Sequence, residues 1–85
     1  MNMEFEATGP NVVSSTEGEL RIARVGLSVS FHGQEYDIDS EMLAAPMSMV
    51  IYFQRSLAAK ADDSEQIRQF VLGALKFRGF YVEVE

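Results

Sequence analysis

The chain contains no cysteine and no tryptophan, only 2 prolines and a single histidine, and its 7 bases are outnumbered by 13 acids. Without cysteine there is no disulfide, no thiol chemistry and no thiolate metal site, a usage that suits a reducing compartment. With His32 as the lone histidine, metal ligation would fall almost wholly to carboxylates. A net charge of −6 works against direct contact with nucleic acid or an anionic membrane and favours a basic protein partner. The longest apolar-leaning run, Met42 to Phe53, is too short to span a bilayer and is interrupted by Pro46 and Ser48. The opening Met-Asn-Met-Glu-Phe-Glu is acidic and lacks the basic-then-apolar order of a secretory signal, so the expected compartment is the cytoplasm.

What is present is ordinary globular material. The 85 residues are 47% hydrophobic and 24% charged, enough for one core and one domain spanning residues 1–85, without room for a second module.

The strongest local signal lies between Asp62 and Arg78. Ile67, Phe70, Val71, Ala74 and Leu75 recur at i, i+3, i+4, i+7 and i+8, which predicts an amphipathic helix. Asp62, Asp63 and Ser64 offer N-cap oxygens, with Glu65 or Gln66 three residues after an aspartate. Lys76 and Arg78 stand in the last turn, where cations favour the helix dipole. Gly79 then supplies a residue that tolerates the left-handed C′ conformation. Phe80, Val82 and Val84 alternate with Tyr81, Glu83 and Glu85, predicting a half-buried final strand.

Upstream the pattern is of strands. A first strand is expected over Met3–Ala7, ended by Gly9-Pro10-Asn11, with Val12-Val13 a weak pairing segment and Ser14–Gly18 a turn. Leu20 and Ile22, then Leu27, Val29 and Phe31, mark inward positions; Gly26 between them is either a turn or a bulge. His32-Gly33 is a hairpin candidate, and the return strand turns Tyr36 and Ile38 inward and Glu35, Asp37 and Asp39 outward. Ser40–Met47 is expected to connect. In the next strand Met49, Ile51 and Phe53 alternate with Val50 and Tyr52, themselves apolar, so this strand is expected to be central and covered on both faces, or covered on one by a partner. Arg55–Ala61 reads as an alanine-rich connection with at most one helical turn. The fold class expected is therefore α+β: a small, mostly antiparallel sheet of five to six strands, one C-terminal amphipathic helix packed on it, and a final strand.

No catalytic constellation emerges, and the expectation is a binding protein rather than an enzyme. No nucleophile elbow is present, although a Ser–His arrangement around His32 stays open. Gly73 and Gly79 lie in and after a helix, not before one, so no phosphate loop forms. Glu35, Asp37, Asp39 and Glu41 superficially resemble a calcium loop but lack its mid-loop glycine. No metal or cofactor is expected. Those four acids crowd into seven residues, and Glu83 and Glu85 add a pair on the last strand. Two readings stand side by side: a solvated face that blocks edge-to-edge aggregation, or a surface for a basic partner.

The order of elements resembles a known family. The hairpin Val29–Ile38, then Ser40-Glu41-Met42-Leu43, the strand Met49–Phe53, and the closing Ile67…Ala74-Leu75-Lys76-Phe77-Arg78-Gly79-Phe80-Tyr81-Val82-Glu83-Val84 are similar to the immunity proteins of bacterial polymorphic-toxin and contact-dependent growth inhibition systems. Within that group the likeness is to immunity protein 74. It covers Leu27–Glu85. The tryptophan of the family after the Tyr52 strand has no counterpart: Ser56-Leu57-Ala58-Ala59-Lys60 stands there. The resemblance implies a cytoplasmic protein that binds the C-terminal domain of one cognate toxin, often a basic nuclease, and blocks it. The expected contact residues are Glu35, Asp37, Asp39, Glu41, Glu83 and Glu85 for charge, with Tyr36, Tyr52 or Tyr81 as an aromatic anchor. Three alternatives remain: a phage-encoded acidic inhibitor such as an anti-CRISPR or DNA mimic, a small ligand-binding or enzymatic domain around His32, and an oligomerisation module. The protein is expected as a monomer, or as a homodimer if a second copy covers the two-sided strand.

Overall fold

The structure is a computed structural model, described over residues 4–85. Its α+β architecture is the one expected, divided differently among strands. Five antiparallel strands form a meander in sequence order: β1 (Glu6–Gly9), β2 (Val12–Ser14), β3 (Gly18–Ile22), β4 (Leu27–Phe31) and β5 (Gln34–Ile38). A second sheet has the order β6-β7-β8, with β6 (Ser40–Met42) antiparallel and β8 (Tyr81–Val84) parallel to the central β7 (Ser48–Ile51). Parallel neighbours need a crossover, and the chain between β7 and β8 supplies it: two short 3-10 turns, Phe53–Arg55 and Leu57–Lys60, then α1 (Ser64–Phe77).

The first strand begins later than expected. Met3 lies outside the described residues, and Phe5 is not in a strand: its ring packs 5.8 Å from Phe70 and 5.9 Å from Phe77. The strand that follows runs to Gly9, turns at Pro10-Asn11, and slips register between Ala7 and Gly9. Val12-Val13 belongs to β2, with Val13 fully buried. Gly26 is part of a four-residue hairpin loop, since Ile22 pairs directly with Leu27. At the next hairpin Phe31 pairs with Gln34, leaving His32-Gly33 as a two-residue turn with φ of 49° and 82°. Positive φ at both positions is the type I′ geometry whose twist matches the flanking strands.

Strand β5 does not end where the charge pattern changes. One residue, Asp39, separates it from β6, so Gln34–Met42 is a nearly continuous ribbon that leaves one sheet and enters the other. Ser40, expected in a connection, is buried at this corner, and its hydroxyl accepts the Gly26 amide at 3.0 Å. Likewise β7 stops at Ile51. Phe53, expected to continue it, is buried in the following 3-10 turn, where Ser56 Oγ donates to the Phe53 carbonyl at 2.6 Å. Both buried serines are thereby satisfied.

The core is one cluster. Val13, Leu20, Ile22, Leu27, Val29, Phe31 and Ile38 line the inner face of the five-stranded sheet; Met49 and Ile51 come from β7; Ile67, Phe70, Val71, Ala74 and Leu75 come from α1. The helix begins among the expected N-cap residues, at Ser64, but has no side-chain cap. Asp63 occupies the N-cap position, where its carboxylate caps no amide and its carbonyl accepts the Ile67 amide at 3.0 Å. At the other end the termination is the expected one. Gly79 has φ 91°, its amide reaches the Lys76 carbonyl at 2.9 Å, and the Phe80 amide reaches that of Leu75 at 3.0 Å, the paired bonds of a Schellman motif. Arg78 then ties the helix end to the β1–β2 turn through a 2.8 Å bond from Nη2 to the Pro10 carbonyl.

Candidate functional site

The outer face of the three-stranded sheet gathers most of the residues singled out for contact. In an antiparallel or parallel ladder, residues in register lie side by side on one face, and alternate residues along a strand share it. Glu41 is in register with Val50, and Val50 with Glu83. One step along, the Tyr52 amide donates to the Asp39 carbonyl at 2.9 Å and the Glu85 amide to that of Ile51 at 2.8 Å, which continues both pairings past the strand ends. Two rows result: Glu41, Val50, Glu83, and Asp39, Tyr52, Glu85. In each, a carboxylate stands on either side of an apolar or aromatic centre.

The two centres are held differently. Val50 is only 5% exposed although it points away from the core cluster to which Met49 and Ile51 belong. It makes β7 the covered, two-sided central strand that its composition predicted. Tyr52 is half-buried, and the Arg55 guanidinium lies 4.0 Å above its ring, a cation–π contact that fixes the ring and sets one base at the border of the acids. Tyr81, at the near end of β8, is 70% exposed. Leu43 and Met47, in the loop between β6 and β7, are exposed, and the Met47 carbonyl accepts the Tyr81 amide at 2.7 Å. Sequence reasoning overlooked both, because a loop gives no periodic signal.

The rest of the expected contact residues stand elsewhere. Glu35 and Asp37 project from the polar outer face of the five-stranded sheet, in register with Ser30 and Ser28. Ser28 Oγ donates to Asp37 at 3.4 Å, and the same face holds the Arg21–Glu19 pair at 3.0 Å. The four acids expected to form one stripe therefore divide at Asp39 between two sheets. Tyr36 faces inward opposite Val29 and packs against the core. Tyr36 and Tyr52 are both half-buried, which leaves Tyr81 the most exposed of the three tyrosines.

His32 has its own surroundings. Its ring stacks on Phe31 with centroids 4.1 Å apart; Nε2 pairs with the Glu17 carboxylate, and Nδ1 lies 3.7 Å from the Asp63 carboxylate. The imidazole thus ties its own turn to the β2–β3 turn and to the start of α1, which is where the missing N-cap carboxylate has gone. The Glu17 and Asp63 partners were not legible in the sequence, since each is remote along the chain. Among the described residues no group of three or more histidine or carboxylate side chains is placed to hold a metal ion. No helix among them is long and apolar enough to cross a membrane.

Comparison with family models, with curated proteins and with solved structures returned no match to this chain.

Proposed function

We propose that the domain is an immunity protein, acting in the bacterial cytoplasm, that binds the basic C-terminal domain of a cognate toxin and neutralises it by direct contact. It works as a binder rather than an enzyme. The observation that carries the reading is the paired-row face of the three-stranded sheet, where Glu41 and Glu83 flank Val50 and Asp39 and Glu85 flank Tyr52. Such a face has the anatomy of an inhibitor surface: the half-buried Tyr52 and the exposed Tyr81 offer aromatic contact beside a buried Val50, with charge around them to steer a basic partner. A nuclease toxin binds phosphate with lysine and arginine, so an acidic face can fill the same groups that its substrate would occupy. Close charge pairs across interfaces of this kind couple by roughly 1.5–7 kcal/mol, so a few are enough for tight inhibition. The resemblance of Leu27–Glu85 to immunity proteins supports the same assignment and extends over all three strands of this sheet.

The test is capture followed by protection. The immobilised domain is expected to retain a basic toxin domain from the lysate of its source bacterium at low salt and to release it as salt rises. That toxin domain, expressed alone, is expected to kill, and co-expression of this protein to rescue growth. Retention of a CRISPR effector or a DNA-binding machine instead, or killing unchanged by co-expression, would overturn the reading.

A further inference from the structure

We propose that the free edge of β8 takes up an extended segment of the basic partner as a fourth strand, with lysine or arginine side chains against Glu83 and Glu85 and apolar side chains seated between β8 and α1. The proposal rests on the partner reading above and specifies the contact.

Among the described residues strand β8 is hydrogen-bonded on one side only, because the sheet order is β6-β7-β8. Which of its groups are engaged follows from parity. The amides of Tyr81 and Glu85 donate to the carbonyls of Met47 and Ile51 on the β7 side, at 2.7 and 2.8 Å. Successive residues of a strand point their N–H and C=O groups to opposite edges, so Val82 and Val84 turn theirs to the open edge. An edge of this kind is a template for strand addition, in which main-chain bonds give affinity and alternate side chains give selectivity.

The two faces of the edge choose the occupant. Along one face run Tyr81, Glu83 and Glu85, all exposed, with Glu41 two strands away in the row of Glu83. Among the described residues the ion pairs engage Glu17, Glu19, Asp63 and Glu65, and none of Asp39, Glu41, Glu83 or Glu85. Every second side chain of an added strand would lie beside these unneutralised carboxylates, which calls for lysine or arginine there. Between β8 and α1 a trough is lined by Leu72, Lys76, Phe80 and Val82, and Tyr81 borders it from the start of the strand. Leu72 and Lys76 are one helical turn apart and so border the trough from α1. The intervening side chains of the added strand are therefore apolar. A second copy of this chain fits the same edge poorly: antiparallel pairing of two β8 strands would gather Glu83 and Glu85 of both copies on one face, where like charges repel.

The experiment is residue-resolved amide exchange, read by NMR, with a synthetic peptide of alternating lysine and valine as the probe and its glutamate–valine counterpart as control. In the free protein Val82 and Val84 are expected to exchange fast and Tyr81 and Glu85 slowly. Saturating lysine–valine peptide is expected to slow Val82 and Val84 several-fold, up to about tenfold, the factor that one net main-chain hydrogen bond supplies, whereas the control leaves them unchanged. Val84→Pro removes an edge-facing N–H and no bond to β7, and proline is tolerated on edge strands. It is expected to weaken peptide binding by about tenfold while Tyr81 and Glu85 stay protected, which reports that the sheet is intact. Binding that shifts Glu41 and Glu83 but leaves Val82 and Val84 exchanging freely would overturn strand addition and leave the acidic-face reading standing. No peptide binding would overturn it as well, with the partner reading decided separately by capture of the whole toxin domain. Protection of Val82 and Val84 that grows with protein concentration, without peptide, would assign the edge to a second copy and overturn the proposal.

Discussion

Gly18 and Ser30 meet across β3 and β4 so closely that a Cβ on Gly18 would overlap the Ser30 carbonyl oxygen and press on the Phe31 Cα at 3.0 Å. The obstacle is main chain on the central pair of the meander, so no side-chain rotation relieves it. Gly18→Ala is expected to destabilise the fold by about 1–3 kcal/mol, the usual cost of overpacking. Urea unfolding followed by circular dichroism measures it, and an unchanged midpoint would show that the strands separate freely.

Gly79 closes α1 in the left-handed region at φ 91°, with only the Met47 side chain near its open position, at 3.9 Å. Space is therefore not limiting there; backbone conformation is. Gly79→Ala is expected to cost about 1–2 kcal/mol, the penalty for an L-residue in that region, and Gly79→Asn less. The ordering of the three proteins in urea midpoint is the measurement.

Phe70 is fully buried and packs between two other rings, 5.3 Å from Phe31 and 5.8 Å from Phe5. Phe70→Ala is expected to cost about 3–5 kcal/mol. At about 0.05–0.15 kcal/mol per residue, a chain of 85 residues holds roughly 4–13 kcal/mol in all. The loss is about a quarter or more of that total, so the variant should show a clearly depressed thermal transition. A full native transition would place the ring outside the cooperative core.

The division of the acids at Asp39 makes two charge reversals behave differently. Glu41→Lys with Glu83→Lys, in one row around Val50, is expected to weaken toxin-domain capture by about tenfold or more and to abolish its salt dependence. Glu35→Lys with Asp37→Lys, on the other sheet, is expected to leave capture within about twofold, as a change distant from the contact should. Equal losses from both pairs would return the contact to the whole Gln34–Met42 ribbon. Circular dichroism and thermal melting are expected to be unchanged in both.

His32 holds φ 49° in its turn, a conformation that asparagine accepts more readily. Replacing it loses the exposed contacts to Glu17 and Asp63, worth roughly 0–1 kcal/mol in such surroundings. The two effects oppose each other. His32→Asn is expected to change stability by no more than about 0.5 kcal/mol and to leave protection against the toxin intact. Loss of protection with the fold retained would instead give the imidazole a functional role.

Much of the fold was legible because it is periodic. The five buried positions of α1 were read from their spacing alone, as were the inward sets Leu20–Ile22 and Leu27–Val29–Phe31, and Gly33 and Gly79 marked the hairpin and the helix end through their tolerance of positive φ. What escaped was non-periodic or remote. Ser40–Met42 is three residues long and offers no alternation to count, so a strand was read as a connection. Asp63 carries a capping signature, but a carboxylate near an imidazole from another turn has a competing partner that local sequence does not reveal.

The same limit applies to the surface. The sequence by itself determined which residues are acidic, which alternate outward, and that the strand through Val50 is apolar on both faces. Those properties are set by residue type and a period of two. Only the tertiary structure decided that Glu41 and Glu83, 42 positions apart in the chain, stand on either side of Val50, and that Glu35 and Asp37 do not join them. The reason is physical: the pairing of β6 and β8 with β7 depends on where α1 brings the chain back across the sheet, and that return is fixed by the packing of the whole core rather than by any local preference.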